Sequence, residues 1–112
     1  MIDFDEAHRR AAQELSSYSS PGEGDGFVIV DAETIARPWG WVFFHTSKLY
    51  LETGDTRYAV AGNAPLLVER ETGRVIALGT ARQAVDYINN YERTGDPNRF
   101  DYGLLRAQSG LG

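Results

Sequence analysis

The stretch from Trp39 to Thr46 constrains this chain more than any other, because apolar residues fall on both of its faces. Side chains along an extended backbone alternate from face to face. Trp39, Trp41, Phe43 and His45 therefore point one way, and Gly40, Val42, Phe44 and Thr46 the other. A strand that is apolar on both faces belongs in the middle of a sheet. Val42 and Phe44 are expected in the core. The Trp39–Trp41 face has two possible places, beneath helices or on an exposed patch.

The segments on either side supply the rest of such a sheet. Asp3 to Tyr18 predicts an amphipathic helix, with Phe4, Ala7, Ala11, Leu15 and Tyr18 on one stripe and Asp3 and Glu6 at capping-box spacing. Pro21-Gly22-Glu23-Gly24-Asp25-Gly26 is a loop. Phe27 to Ala36 predicts one strand, with Val28, Val30, Ala32, Thr34 and Ala36 on one face and Asp31 and Glu33 on the wetter one. Leu66–Arg70, the turn Glu71-Thr72-Gly73-Arg74 and Val75–Leu78 form a hairpin. Thr80 is placed to cap a last helix, with Gln83 completing the box and Ala84, Val85, Ile88 and Tyr91 as its apolar stripe. Four strands with short connections between two helices predict an α+β domain. Its antiparallel sheet carries the N-terminal helix and a C-terminal helix packed on one face. Ser47 to Pro65 is long for a connection and is expected to hold a helical turn around Asp55 to Ala61. Residues 1–92 read as a single domain. Residues 93–112 read as a C-terminal extension, either a lid over the sheet or a mobile tail.

At 112 residues there is room for one domain. The chain has no cysteine, which excludes disulfides, thiolate metal sites and cysteine nucleophiles and suits a reducing compartment. The acidic start Met1-Ile2-Asp3-Phe4-Asp5-Glu6 is unlike a signal peptide, and no apolar run approaches the ~20 residues of a membrane span. A cytoplasmic location is expected. The net charge of −5, with ten arginines and one lysine scattered along the chain, opposes nucleic-acid binding. It suits a basic protein partner, and it also simply keeps a protein in solution.

Residues able to do chemistry are few. A serine triad needs a base, and only His8 and His45 are available, without a Gly-x-Ser-x-Gly elbow. Two distant histidines give no metal-ligand spacing, and no stretch matches a calcium loop, so no metal and no cofactor are expected. Gly22-Glu23-Gly24-Asp25-Gly26 precedes a strand and carries two carboxylates, which disfavours phosphate. Asp31 and Glu33 side by side on a wet face lack the low-polarity pocket that paired-carboxylate catalysis needs. A solvated surface or a docking face for a basic partner remains for them.

Trp41-Val42-Phe43-Phe44, Tyr50-Leu51-Glu52-Thr53-Gly54-Asp55 and Ala61-Gly62-Asn63-Ala64-Pro65 together resemble the immunity protein 35 (YrhB-like) family. The hairpin turn Glu71-Thr72-Gly73-Arg74 and Leu78-Gly79-Thr80-Ala81 continue the resemblance, which runs from about Phe4 to Glu92. It implies an α+β domain encoded beside bacterial polymorphic toxins. Such a domain is expected to bind and neutralise a cognate protein toxin, here by stoichiometric occlusion and without catalysis. The expected contact residues are Asp31, Glu33, Trp39, Trp41, Glu52, Asp55, Arg57 and Tyr58. A different reading is a chaperone-like peptide-binding module that uses an exposed Trp39–Trp41 face. A small enzyme would need His45 in a deep pocket beside a carboxylate.

Overall fold

The computed structural model describes residues 1–18, 26–55 and 64–99. These fall into two compact units, Met1–Thr80 and a second beginning at Ala81. The class is the expected α+β, with a helix at each end of the described chain and antiparallel strands between them.

In the first unit, helix α1 spans Phe4–Ser16. The Asp3 carboxylate accepts the Glu6 N–H at 2.9 Å, which satisfies one of the orphan donors of the first turn. Glu6 does not close the box; its carboxylate turns to Arg9 and Arg10 instead. Strands β1 (Phe27–Ile29), β2 (Ile35–Arg37), β3 (Gly40–Phe43), β4 (His45–Ser47), β5 (Leu66–Glu69) and β6 (Val75–Ala77) form two antiparallel sheets. The larger has the order β2-β3-β5-β6, and β1 pairs with β4 in a separate ribbon.

The long aromatic stretch is therefore two strands, not one. β3 sits in the interior of the four-stranded sheet as expected, but the chain breaks at Phe44 and β4 leaves to pair with β1. The Phe44 carbonyl accepts the Val30 N–H at 2.8 Å, just past that ribbon. Val42 is buried as expected, whereas Phe44 is only half-buried. Trp39 lies outside the strand, in the turn before Gly40.

The predicted strand from Phe27 to Ala36 is likewise interrupted. Asp31–Glu33 form a turn of 3-10 helix, closed by Glu33 N–H to Val30 C=O at 3.0 Å and Thr34 N–H to Asp31 C=O at 3.1 Å. Asp and Glu are poor strand formers, and Asp favours turns, so local preference overrides the period-two pattern here. Asp31 and Glu33 consequently do not share a strand face.

Register decides which side chains meet α1. Trp41 stands opposite Val68, Phe43 opposite Leu66, and Val68 opposite Val75, so these point to one face of the sheet. They form the core with Ala7, Ala11 and Leu15 of α1. The small alanines let the helix approach the large rings closely. The Trp39–Trp41 question resolves accordingly: Trp41 is only 4% exposed and belongs to this core. On the opposite face Ile35, Val42, Leu67 and Ile76 make a second row across all four strands, with Val42 and Leu67 fully buried.

Glycine is required where β3 begins. Gly40 has φ +152°, and a Cβ there would lie 2.0 Å from the Val68 carbonyl oxygen. The β5–β6 hairpin matches expectation, with Gly73 at φ +74° in its turn.

The connection after β4 holds a helix, α2 (Lys48–Thr53), ahead of the segment where a helical turn was expected. Ser47 caps it by accepting the Tyr50 N–H at 3.1 Å, and Gly54 ends it. Asp55 is not helical, and residues 56–61 of the expected turn lie outside the described residues. So do most of the Pro21–Gly26 loop, Gly62 and Asn63, and residues 100–112 of the tail.

In the second unit, α3 spans Ala84–Thr94. Its N-cap is Gln83 and makes no side-chain cap bond, so Thr80 does not begin the helix as expected. Tyr87, Ile88 and Asn90 are buried, whereas Val85, assigned to the apolar stripe, is largely exposed. The Tyr87 hydroxyl accepts the Ala81 N–H at 3.2 Å, tying the approach to the helix. The Asn90 amide donates to the carbonyls of Asp96, Pro97 and Arg99, so the chain folds back on α3 after Gly95.

Candidate partner-binding surface

Side chains advance about 100° per residue around a helix, so the buried stripe of α1 has two chemically distinct flanks. The flank carrying Glu6 and Arg10 faces the β5–β6 hairpin. Arg10 donates to Glu6 at 2.8 Å and to the Gly73 carbonyl at 3.0 Å, and Arg9 also pairs with Glu6. Arg10 and then Arg9 hold the Glu6 carboxyl below the usual carboxylate range. An open groove of about 450 Å³ runs here between Gln13 and Glu14 of α1 and Gly73 and Val75 of the hairpin.

The other flank carries Phe4 and His8. The Phe4 ring leans on Trp41 and Phe43, at centroid separations of 6.2 and 5.8 Å, yet leaves 42% of the residue exposed. His8 sits 5.9 Å from Phe4 and edge-on to Phe43 at 5.7 Å. Its Nε2 meets the Asp31 carboxylate at 2.9 Å, joining α1 to the 3-10 turn. The sequence placed Phe4 on the buried stripe and gave His8 no role. The signal that could have found them is their i, i+4 spacing, which stacks the two rings at the edge of that stripe.

The residues expected to bind a partner are dispersed. Asp31 and Glu33 are exposed in the 3-10 turn, with the Asp31 side chain 73% accessible. Trp41 is removed from the surface, since α1 packs against it and the Arg70 guanidinium lies 4.5 Å from its ring centre. Trp39 is half-buried, its carbonyl accepting the Arg70 N–H at 2.8 Å. Glu52 is exposed on α2, one turn from Lys48 at 4.0 Å. The Asp55 N–H is bound to Thr53 Oγ1 at 3.1 Å. Arg57 and Tyr58 lie outside the described residues.

Nor do these carboxylates form one patch. β1 and β4 pair with Phe27 opposite Ser47 and Ile29 opposite His45. The 3-10 turn leaves the ribbon at its His45 end, whereas α2 leaves at its Ser47 end. Three residues of strand, about 10 Å, separate the two exits.

His45 is buried with its imidazole edge-on to Phe27 at 5.2 Å and near Tyr18 at 6.1 Å. Burial pushes its pKa below the ordinary imidazole value, so the neutral ring is favoured. The Tyr18 hydroxyl is shifted upward by burial and, second, by Glu14. Among the described residues no group of three His, Asp or Glu side chains could hold a metal ion. Among them, too, no helix is long and apolar enough to cross a membrane.

The model of the family described as Immunity protein 35 matches residues 5–97. This chain belongs to the immunity protein 35 family. It is also 40% identical over 53 residues to Uncharacterized protein YrhB of Escherichia coli (strain K12). That match covers 47% of this chain and 56% of YrhB, so the chain spans about half the length of this curated relative. No solved structure matches it.

Proposed function

We propose that this chain is an immunity protein: a small rigid domain that neutralises a cognate bacterial toxin by binding it one-to-one and covering its active site. The observation that carries the reading is family membership across residues 5–97, most of the chain. The reading is of an inhibitor that does no chemistry of its own, and the surroundings of His45 favour it. The rings of Phe27 and Tyr18 pack against that histidine, which suits a core residue better than a general base. Exposed carboxylates at Asp31, Glu33 and Glu52 offer contacts to a basic toxin surface. Burial of Trp41 counts against the alternative of a peptide-binding module with an exposed tryptophan face.

The test is co-expression with the protein encoded by the adjacent toxin gene. Growth should be rescued, and the two chains should co-purify at a 1:1 ratio. Continued killing without a complex refutes the reading. Rescue by catalytic amounts of the protein would show that it acts as an enzyme.

A further inference from the structure

The two flanks of α1 differ in how their charges are used. On the hairpin side, Arg9 and Arg10 are bound to Glu6, and Arg10 also to the Gly73 carbonyl. On the Phe4–His8 side, no lysine or arginine among the described residues pairs with Asp31 or Glu33. Asp31 is instead held by His8, which fixes where its carboxylate stands relative to α1.

Phe4 is propped against Trp41, Phe43 and His8 while a large part of it faces outward. Phe4 is thus a partly exposed ring backed by three aromatic neighbours. Ordering it for a partner costs little further side-chain entropy.

We infer that this face, formed by Phe4, His8 and the turn Asp31–Glu33, is where the protein partner docks, and that it receives an arginine side chain of that partner. A guanidinium stacks on an aromatic face through its planar π system and its weak hydration. Its fork of donors then matches a carboxylate held in a fixed position. Phe4 supplies the first element and Asp31 the second, with Glu33 adding negative charge from the same turn. The chain's net charge of −5 favours approach of a basic surface. That the partner is the toxin rests on the function proposed above; the arginine chemistry rests on the geometry alone.

Two measurements separate those grounds. In the first, isotope-labelled full-length protein is titrated with N-acetyl-arginine methylamide and followed by amide NMR shifts. Shifts should concentrate at Phe4, His8 and Asp31–Glu33, and should disappear in the Asp31→Asn/Glu33→Gln double variant. Both replaced side chains are exposed, so this variant keeps its fold. Shifts scattered over the surface, or unchanged in the variant, overturn the inference.

In the second, the product of the adjacent toxin gene is the probe. Phe4→Ala and the double variant should each bind it about tenfold more weakly or worse, a loss of ~1.4 kcal/mol. The double variant should also lose the salt dependence of the wild type. Unchanged affinity overturns the inference and leaves the immunity reading standing. A wild type that ignores the toxin yet shows the localised arginine shifts overturns the immunity reading and leaves the arginine site standing. If light scattering shows a dimer that the double variant dissolves, the face belongs to a second copy of this chain, and the inference fails.

Discussion

Replacing Gly40 by alanine should damage the domain far more than the same change at Gly54, although both glycines have positive φ. At Gly54 (φ +68°) a new Cβ meets nothing within 4 Å, so the cost is backbone strain alone, about 1–2 kcal/mol. At Gly40 the new Cβ would stand 2.0 Å from the Val68 carbonyl oxygen and 3.1 Å from the Arg70 nitrogen. Both obstacles are backbone, so no rotamer change relieves them. Relief requires moving β3 away from β5 by about 1 Å. Val68 pairs with Trp41 on one side and Val75 on the other, so that movement breaks ladder bonds next to the core. Losing about two of them, at ~1 kcal/mol each, on top of the strain gives a total of about 3–4 kcal/mol. Urea unfolding followed by tryptophan fluorescence measures the difference directly. With an m-value of ~1.5 kcal/mol/M, the Gly40→Ala midpoint should fall about 2 M or more, against about 1 M for Gly54→Ala. Failure of Gly40→Ala to fold is the same result in a stronger form. Midpoints for the two variants within 0.3 M of each other would refute the argument that close strand approach, beyond φ, fixes Gly40.

Other substitutions test the core, the cap and the buried histidine. Phe43→Ala should cost about 3–5 kcal/mol by urea titration, because Phe43 is fully buried between α1 and the sheet. Val85→Ala on the exposed side of α3 should stay within about 0.5 kcal/mol. Asp3→Ala should cost about 1 kcal/mol and reduce helical circular dichroism, since it removes the acceptor for the Glu6 N–H. His45 has a folded-state pKa lowered by burial from its ordinary value near 6.5. The unfolded chain therefore takes up the proton first as pH falls. Stability should be level above about pH 7 and decline as pH drops below 6.5 toward the lowered value. Urea midpoints between pH 7.5 and 5.5 should show this decline, and His45→Phe should flatten it. A decline of equal steepness in that variant assigns the effect to another group.

Periodicity made much of the fold legible. The stripe Ala7, Ala11, Leu15, the interior position of Gly40–Phe43 and the β5–β6 hairpin are all long-period or two-residue patterns that burial enforces. Breaks in extended chain were illegible. The alternation of Phe27–Ala36 does not distinguish a continuous strand from two short ones joined by a turn, and the one local signal, the poor strand preference of Asp31 and Glu33, is weaker than that pattern. The departure of His45–Ser47 to a second sheet is equally silent, since it depends on a long-range partner, Phe27–Ile29. The cap of α3 was misassigned for a simpler reason. Thr80 has the right chemistry and spacing, but Ala81–Gln83 do not turn helical, and the helix begins at Ala84.

The candidate site shows the same division from the functional side. Asp31 and Glu33 were legible as surface carboxylates from the strand alternation, yet the strand face expected to carry them both is a 3-10 turn. What gives Asp31 a fixed position is His8, twenty-three residues earlier in sequence and on a different element. No local pattern encodes that contact. It arises because α1 packs across Trp41 and Phe43 at an angle that leaves Phe4 and His8 at the rim, and because the interrupted strand turns back toward them at Asp31. The interruption that defeats the strand prediction is thus the feature that assembles the surface. If the arginine-receiving face is correct, substitutions that remove the turn formers of residues 31–33 should abolish binding. Asp31→Thr/Glu33→Val, with β-branched residues in place of turn formers, is the direct form of that experiment.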